Sequence, residues 1–174
     1  MKVLLAVDIQ NDFIDGCLGS AEAQAKLPNM LNFVEQFDGK ILATLDTHGA
    51  DYLSTREGRL LPIIHCQRDT QGHQQPKPLR EALAQKNAEI FEKNYFASTR
   101  LLERLRELDR EEAIEQITII GICTDICVVS NAMLIKAYFP EVEIEVIADA
   151  CAGTTKENHE AALAVMQSCQ ITIK

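Results

Sequence analysis

The chain predicts a three-layer α/β/α domain around a central, mostly parallel β-sheet. Two observations carry this expectation. Apolar, strand-like runs alternate with helix-like segments from one end of the chain to the other, and a repeated βαβ rhythm places helices on both faces of a parallel sheet. No internal repeat, low-complexity tract or long linker divides the 174 residues, so residues 1–174 read as one domain large enough to bury a core of useful size.

The elements follow in order. Lys2 to Val7 reads as the first strand. Its apolar stretch resembles a short signal segment, but Asp8 and Asp12 interrupt it too early for one. Leu27 to Gln36 reads as a helix with Pro28 at its boundary, since proline cannot donate inside a helix. Lys40 to Leu45 is the second strand and Leu60 to His65 the third. A helix over Leu79 to Gln85 leads to a short fourth strand at Ile90 to Phe91. Ser98 is the N-cap of a helix reaching Leu108. Gln116 to Ile120 is the fifth strand, followed by a helix over Asp125 to Tyr138 that stops before Pro140. Glu143 to Ile147, a helix over Lys156 to Gln167 and a last strand at Ile171 to Ile173 complete the chain.

Composition removes several function classes. The chain has 47% hydrophobic and 25% charged residues, ordinary for a globular protein. Seventeen basic against 26 acidic side chains give a net charge of −9, which disfavours nucleic acid or an anionic membrane as a partner. No apolar run approaches the roughly 20 residues of a membrane span. Six cysteines without a secretory signal point to free thiols in a reducing, cytoplasmic setting. A homo-oligomer stays open.

In open parallel sheets the ligand crevice lies at the carboxyl ends of the strands. Those ends read Val7-Asp8-Ile9-Gln10-Asn11-Asp12-Phe13, Leu45-Asp46-Thr47-His48, Ile64-His65-Cys66, Glu92-Lys93-Asn94-Tyr95-Phe96 and Gly121 to Cys127. Five strand ends thus bring Asp, Asp with His, His, Lys and Cys to one sheet edge, and this convergence outweighs any single match. Cys127 falls at a strand-to-helix turn, where unpaired N–H groups and the helix dipole lower a thiol pKa and offer donors to an oxyanion. Asp46-x-His48 puts both side chains on one side of an extended segment. With His65 it forms a carboxylate-plus-two-imidazole set suited to zinc, iron or manganese.

Blander readings stand beside these. A lone Asp after a strand is commonly a turn residue, a lone Lys a solvated charge and a lone Cys a small buried hydrophobe. Cys17, Cys66, Cys151 and Cys169 read as structural in this way. His48 and His65 also suit plain hydrogen bonds to loop backbone, and His73 and His159 look peripheral, His159 as a helix-surface or capping residue. Cys123 and Cys127 are spaced i, i+4 and suit a redox dithiol. No second cysteine pair accompanies them to complete a Cys₄ zinc site. The dithiol reading lacks a G-x-G-x-x-G loop after the first strand, and it leaves Asp8, Lys93 and the Asp-x-His without a role.

VDIQNDF, DTH with the later HC, EKNYFAST, GICTDICVVSNA and VIADACAGTTKENHEAAL occur in this order across nearly the whole chain. On these pieces the chain resembles the isochorismatase-like cysteine hydrolase superfamily, a Rossmann-like fold, and within it most resembles the nicotinamidases. The resemblance implies a catalytic Asp8, Lys93 and Cys127, with the N–H groups of Cys123 and Cys127 as the oxyanion hole. It also implies a non-proline cis peptide at Ile122–Cys123. The implied metal ligands are Asp46, His48 and His65, with Glu57 as a fourth and Ser54 as its alternative. The implied reaction is metal-assisted hydrolysis of nicotinamide to nicotinate and ammonia through a cysteine thioester. A carbamoyl, ureido or other small amide is the alternative substrate. The family's aromatic residue just before the second metal histidine is replaced here by Leu60-Leu61-Pro62-Ile63-Ile64, and the chain has no Trp. Phe13, Phe96 and Tyr95 are left to clamp a flat ring.

Overall fold

The computed structural model describes all residues from Met1 to Lys174. The elements run β1 (Lys2–Val7), α1 (Asn11–Ile14), α2 (Ala21–Gln36), β2 (Lys40–Asp46), a 3₁₀ turn (Tyr52–Ser54), α3 (Arg56–Leu60), α4 (Lys77–Gln85), β3 (Glu89–Lys93), α5 (Thr99–Glu111), β4 (Gln116–Ile122), a π-helical turn (Thr124–Val128), α6 (Val129–Tyr138), β5 (Glu143–Ala152), α7 (Lys156–Ser168) and β6 (Thr172–Ile173). The six strands form one sheet in the order β3-β2-β1-β4-β5-β6, and every pairing is parallel. This is the α/β architecture expected.

Strand residues alternate between two cores. Val3, Leu5 and Val7 face the side covered by α5, α6 and α7, with Leu101, Leu105, Ala132, Ile135 and Met166. Leu4 and Ala6 face the side covered by α1, α2 and α4, with Phe13, Met30, Val34, Leu79 and Leu83. Each fully buried leucine, isoleucine or valine contributes about 1.5–3 kcal/mol relative to exposure. The strand order reverses between β1 and β4, and such a switch point opens a crevice at the carboxyl ends. No helix is long and apolar enough to cross a membrane.

Two expectations fail. Leu60 to His65 is not a strand: Leu60 ends α3 and residues 61–65 have no regular structure. β2 is already flanked by β1 and β3, and Pro62 cannot donate to a ladder. The apolar residues there stay outside the core, with Leu60 75% and Ile64 51% exposed. Pro28 does not bound α2 but lies inside it. The Ser20 hydroxyl accepts from the Ala23 N–H and starts the helix at Ala21, six residues before Leu27, and buried Ala23, Met30 and Val34 hold it across the proline.

Candidate active site and metal centre

The turn that carries Cys127 is fixed from several sides. At Gly121 φ is +137°, and a Cβ there would lie 2.1 Å from the Val7 carbonyl oxygen, so only glycine lets β4 pass β1 at this point. The Ile122–Cys123 peptide is cis. The Cys123 carbonyl then accepts from the N–H groups of Ile126 and Val128, at 3.1 and 3.0 Å. Asp125 accepts from the Thr154 N–H and hydroxyl. Asn131 donates to the carbonyls of Cys127 and Phe96. The Thr124 hydroxyl and His159 Nδ1 share a hydrogen bond of 2.8 Å. His159 is therefore neither a surface nor a capping residue. Thr155 caps α7, which puts His159, Ala162 and Met166 on its buried face at helical spacing.

Asp8 follows β1 with φ of 47°, a left-handed conformation that aspartate tolerates better than most residues. This ends the strand and leaves Asp8 fully buried. Lys93, the last residue of β3, has its side chain 2% exposed and its ammonium 2.5 Å from Asp8 Oδ2. The same Nζ lies 3.6 Å from Cys127 Sγ and 3.8 Å from Asp46 Oδ1. The Thr44 hydroxyl donates to Asp8 Oδ1 at 2.7 Å.

Burial pushes the Asp8 carboxyl above its ordinary range, against the pull of Lys93, and Asp46 adds to the rise. Burial alone would lower Lys93, but Asp8, Cys127 and Asp46 outweigh it and keep the ammonium charged. The thiol differs from expectation. Burial and the Asp8 carboxylate push Cys127 well above the usual thiol range, and the opposing pull of Lys93 does not cancel them. The turn sits deep in the fold, with Cys127 only 6% exposed, and burial outweighs the effect of the helix end. Burial thus works against a free thiolate here, with the Lys93 ammonium as the opposing charge.

Asp46 ends β2, and His48 follows on the same side of the extended chain. His48 Nε2 is 2.9 Å and His65 Nε2 3.4 Å from Asp46 Oδ2. The ligand atoms of all three residues lie within 4.8 Å of one another. One hard carboxylate oxygen and two borderline imidazole nitrogens converging from buried side chains fit a divalent metal ion. The His65 Nδ1 is 2.8 Å from the Ile63 carbonyl, the kind of outer contact that orients a ligating ring. Burial raises the Asp46 carboxyl, but hydrogen bonds with His48 and His65 and the charge of Lys93 override it and hold the group well below the carboxylate range. Glu57 Oε1 stands 3.8 and 3.9 Å from the two histidine Nε2 atoms. Ser54 is turned to another task, its hydroxyl donating to the Asp51 carbonyl.

Of the three aromatics expected around a substrate, Phe13 packs against His65 at a centroid distance of 5.7 Å. Tyr95 and Phe96 are 71% and 49% exposed. Tyr52, absent from the expected site, packs on both histidines at 4.5 and 5.1 Å, and its hydroxyl donates to the Leu61 carbonyl. Thr44, Asn131 and Gln10 also escape sequence reasoning. Gln10 is fully buried and bonded to the main chain of Asp46. Its only signal was its place between Asp8 and Asp12 in the polar run after β1.

Comparison with known proteins follows the same lines. The isochorismatase domain family matches residues 2–173. The chain is 24% identical over 203 residues to a nicotinamidase of Schizosaccharomyces pombe, covering 98% of this chain and 91% of that one. It resembles the crystal structure of a pyrazinamidase/nicotinamidase from Streptococcus mutans, with a TM-score of 0.86, 28% identity and all of both chains covered. It also resembles a pyrazinamidase of Pyrococcus horikoshii in complex with zinc, with a TM-score of 0.78 and 27% identity over 99% of this chain and 98% of that one.

Proposed function

Given that the chain belongs to the isochorismatase domain family, we propose that it is a metal-assisted cysteine amidohydrolase converting nicotinamide to nicotinate and ammonia. One observation carries the reading. The buried Lys93 ammonium lies within 3.8 Å of the nucleophile candidate, the base candidate and a metal-ligand candidate. The two constellations therefore form one site. The nicotinamidase and pyrazinamidase relatives support the substrate class.

Asp8 takes the Cys127 proton as Sγ bonds to the amide carbon and the carbonyl pair moves onto oxygen. The N–H groups of Cys123 and Cys127 hold that oxyanion. Asp8 passes the proton to nitrogen, the C–N bond breaks, and ammonia leaves a thioester on Cys127. Water then adds to the thioester carbon while Asp8 takes its proton; the C–S bond breaks and the proton returns to sulfur. Lys93 stays charged throughout and stabilises carboxylate and thiolate in turn. A zinc-like ion on Asp46, His48 and His65, with Glu57 beside it, would supply a Lewis acid for a ring nitrogen and for water. The zinc of the Pyrococcus horikoshii relative supports that choice, and iron or manganese suits the same donors. Phe13, packed on His65, would offer an aromatic face to the substrate ring, with Phe96 and Tyr95 as further candidates.

The test is ammonia release by metal-loaded protein offered nicotinamide or an N-carbamoyl amino acid. Nicotinamide is turned over with nicotinate and ammonia in equal amounts, and the carbamoyl compound is turned over far more slowly. Turnover of the carbamoyl compound alone would overturn the assignment.

A further inference from the structure

We propose that Gln10 is a positioning residue that sets metal affinity by extending the β1–β2 ladder with its side-chain amide at the metal-bearing end of β2; this rests on the metal reading above. The main-chain ladder between β1 and β2 pairs Val3 to Val7 with Lys40 to Thr44, and its last rung is the Asp8 N–H on the Thr44 carbonyl at 3.2 Å. Beyond it β1 turns away through the left-handed Asp8. The N–H and C=O of Asp46 on that side would be left buried without strand partners, which is costly for any backbone polar group.

Gln10 fills the missing rung. Its Oε1 accepts from the Asp46 N–H at 2.8 Å, and its Nε2 donates to the Asp46 carbonyl at 2.8 Å. A primary amide presents the same donor–acceptor pair as a peptide unit, so β2 continues to Asp46, two residues past its last pair with β1 at Thr44. The second Nε2 hydrogen goes to the His73 carbonyl at 2.8 Å, and the Thr47 hydroxyl lies 2.8 Å from His73 Nε2. One side chain thus ties the Asp46–Thr47 backbone to the loop that follows His65. The main chain of Gln10 is anchored too, its carbonyl accepting from Phe13 and Ile14 at the start of α1. Glutamate would lose both donors and set a carboxylate against two carbonyls. Asparagine is one methylene too short.

The test is zinc affinity by chelator competition on folded protein, with the rate of Cys127 alkylation by iodoacetamide measured in parallel. Gln10→Met, similar in length and without hydrogen bonds, lowers zinc affinity roughly 10–100-fold and leaves the alkylation rate at the wild-type value. Gln10→Asn shows the same loss. Unchanged affinity in either variant would overturn the proposal, and so would a parallel change in alkylation, which marks general disruption. Should neither variant fold, amide exchange on the wild-type protein decides: an Asp46 N–H protected like the interior of β2 supports the clamp, and exchange as fast as Gly49 overturns it. Wild-type protein that binds no zinc would overturn both this proposal and the metal reading.

Discussion

Cys127→Ala lowers ammonia release from nicotinamide by about 10⁶-fold, the scale seen when one member of a unit that acts together is deleted. The thiol stands beside the Asp8–Lys93 pair, with Lys93 Nζ 3.6 Å away, and no thioester forms without it. The fold survives, because deleting one buried heavy atom costs on the order of 1 kcal/mol. The turn is also held by backbone bonds to Cys123 and by Asn131, Asp125 and Thr124 rather than by the thiol. Steady-state kinetics and a thermal melt check both halves of this prediction. Activity near the wild-type level would remove Cys127 as nucleophile.

Asp8→Asn lowers kcat/KM by roughly 10²–10⁴-fold, the usual cost of losing a general base. Burial pushes the Cys127 thiol up, so attack by its sulfur calls for a proton acceptor beside it. Asparagine preserves the shape beside Thr44 and Lys93 but removes the charge that holds the ammonium at 2.5 Å. The pH profile carries the same signature. Asp8 must be ionised to accept the proton, and burial raises its pKa. The wild-type rate therefore falls with decreasing pH before an exposed aspartate would titrate. A wild-type acid limb at or below the ordinary aspartate value would contradict the assignment.

The strand ends were the most legible part of the chain. Asp8, Asp46, Lys93 and Cys123 each follow or finish a short apolar run, and a parallel sheet brings such positions to one edge whatever the details of its helices. His65 reached the site without the strand that was expected to carry it. Loop 61–65 is placed by contacts distant in sequence: the Cys66 N–H donates to Asp12 Oδ2, and the Tyr52 hydroxyl donates to the Leu61 carbonyl. Local periodicity contains no trace of either. The thiol environment departs from expectation for a similar reason, because a helix terminus is visible in sequence while the depth of its burial is not. Gln10, Thr44 and Asn131 are of types that usually decorate surfaces and caps. Only the fold shows that each meets a main-chain or carboxylate group stranded at the end of a strand or turn.

Catalysis through one combined site, metal ligands and thiol together, is the central claim. It is tested most directly by measuring ammonia release from nicotinamide against bound metal per chain, from chelated to fully loaded protein. The rate is predicted to rise in proportion to bound metal, and complete removal is predicted to cost several kcal/mol of transition-state stabilisation, or on the order of 10²-fold in rate. Metal-free protein that hydrolyses nicotinamide at the full rate in excess chelator would contradict it.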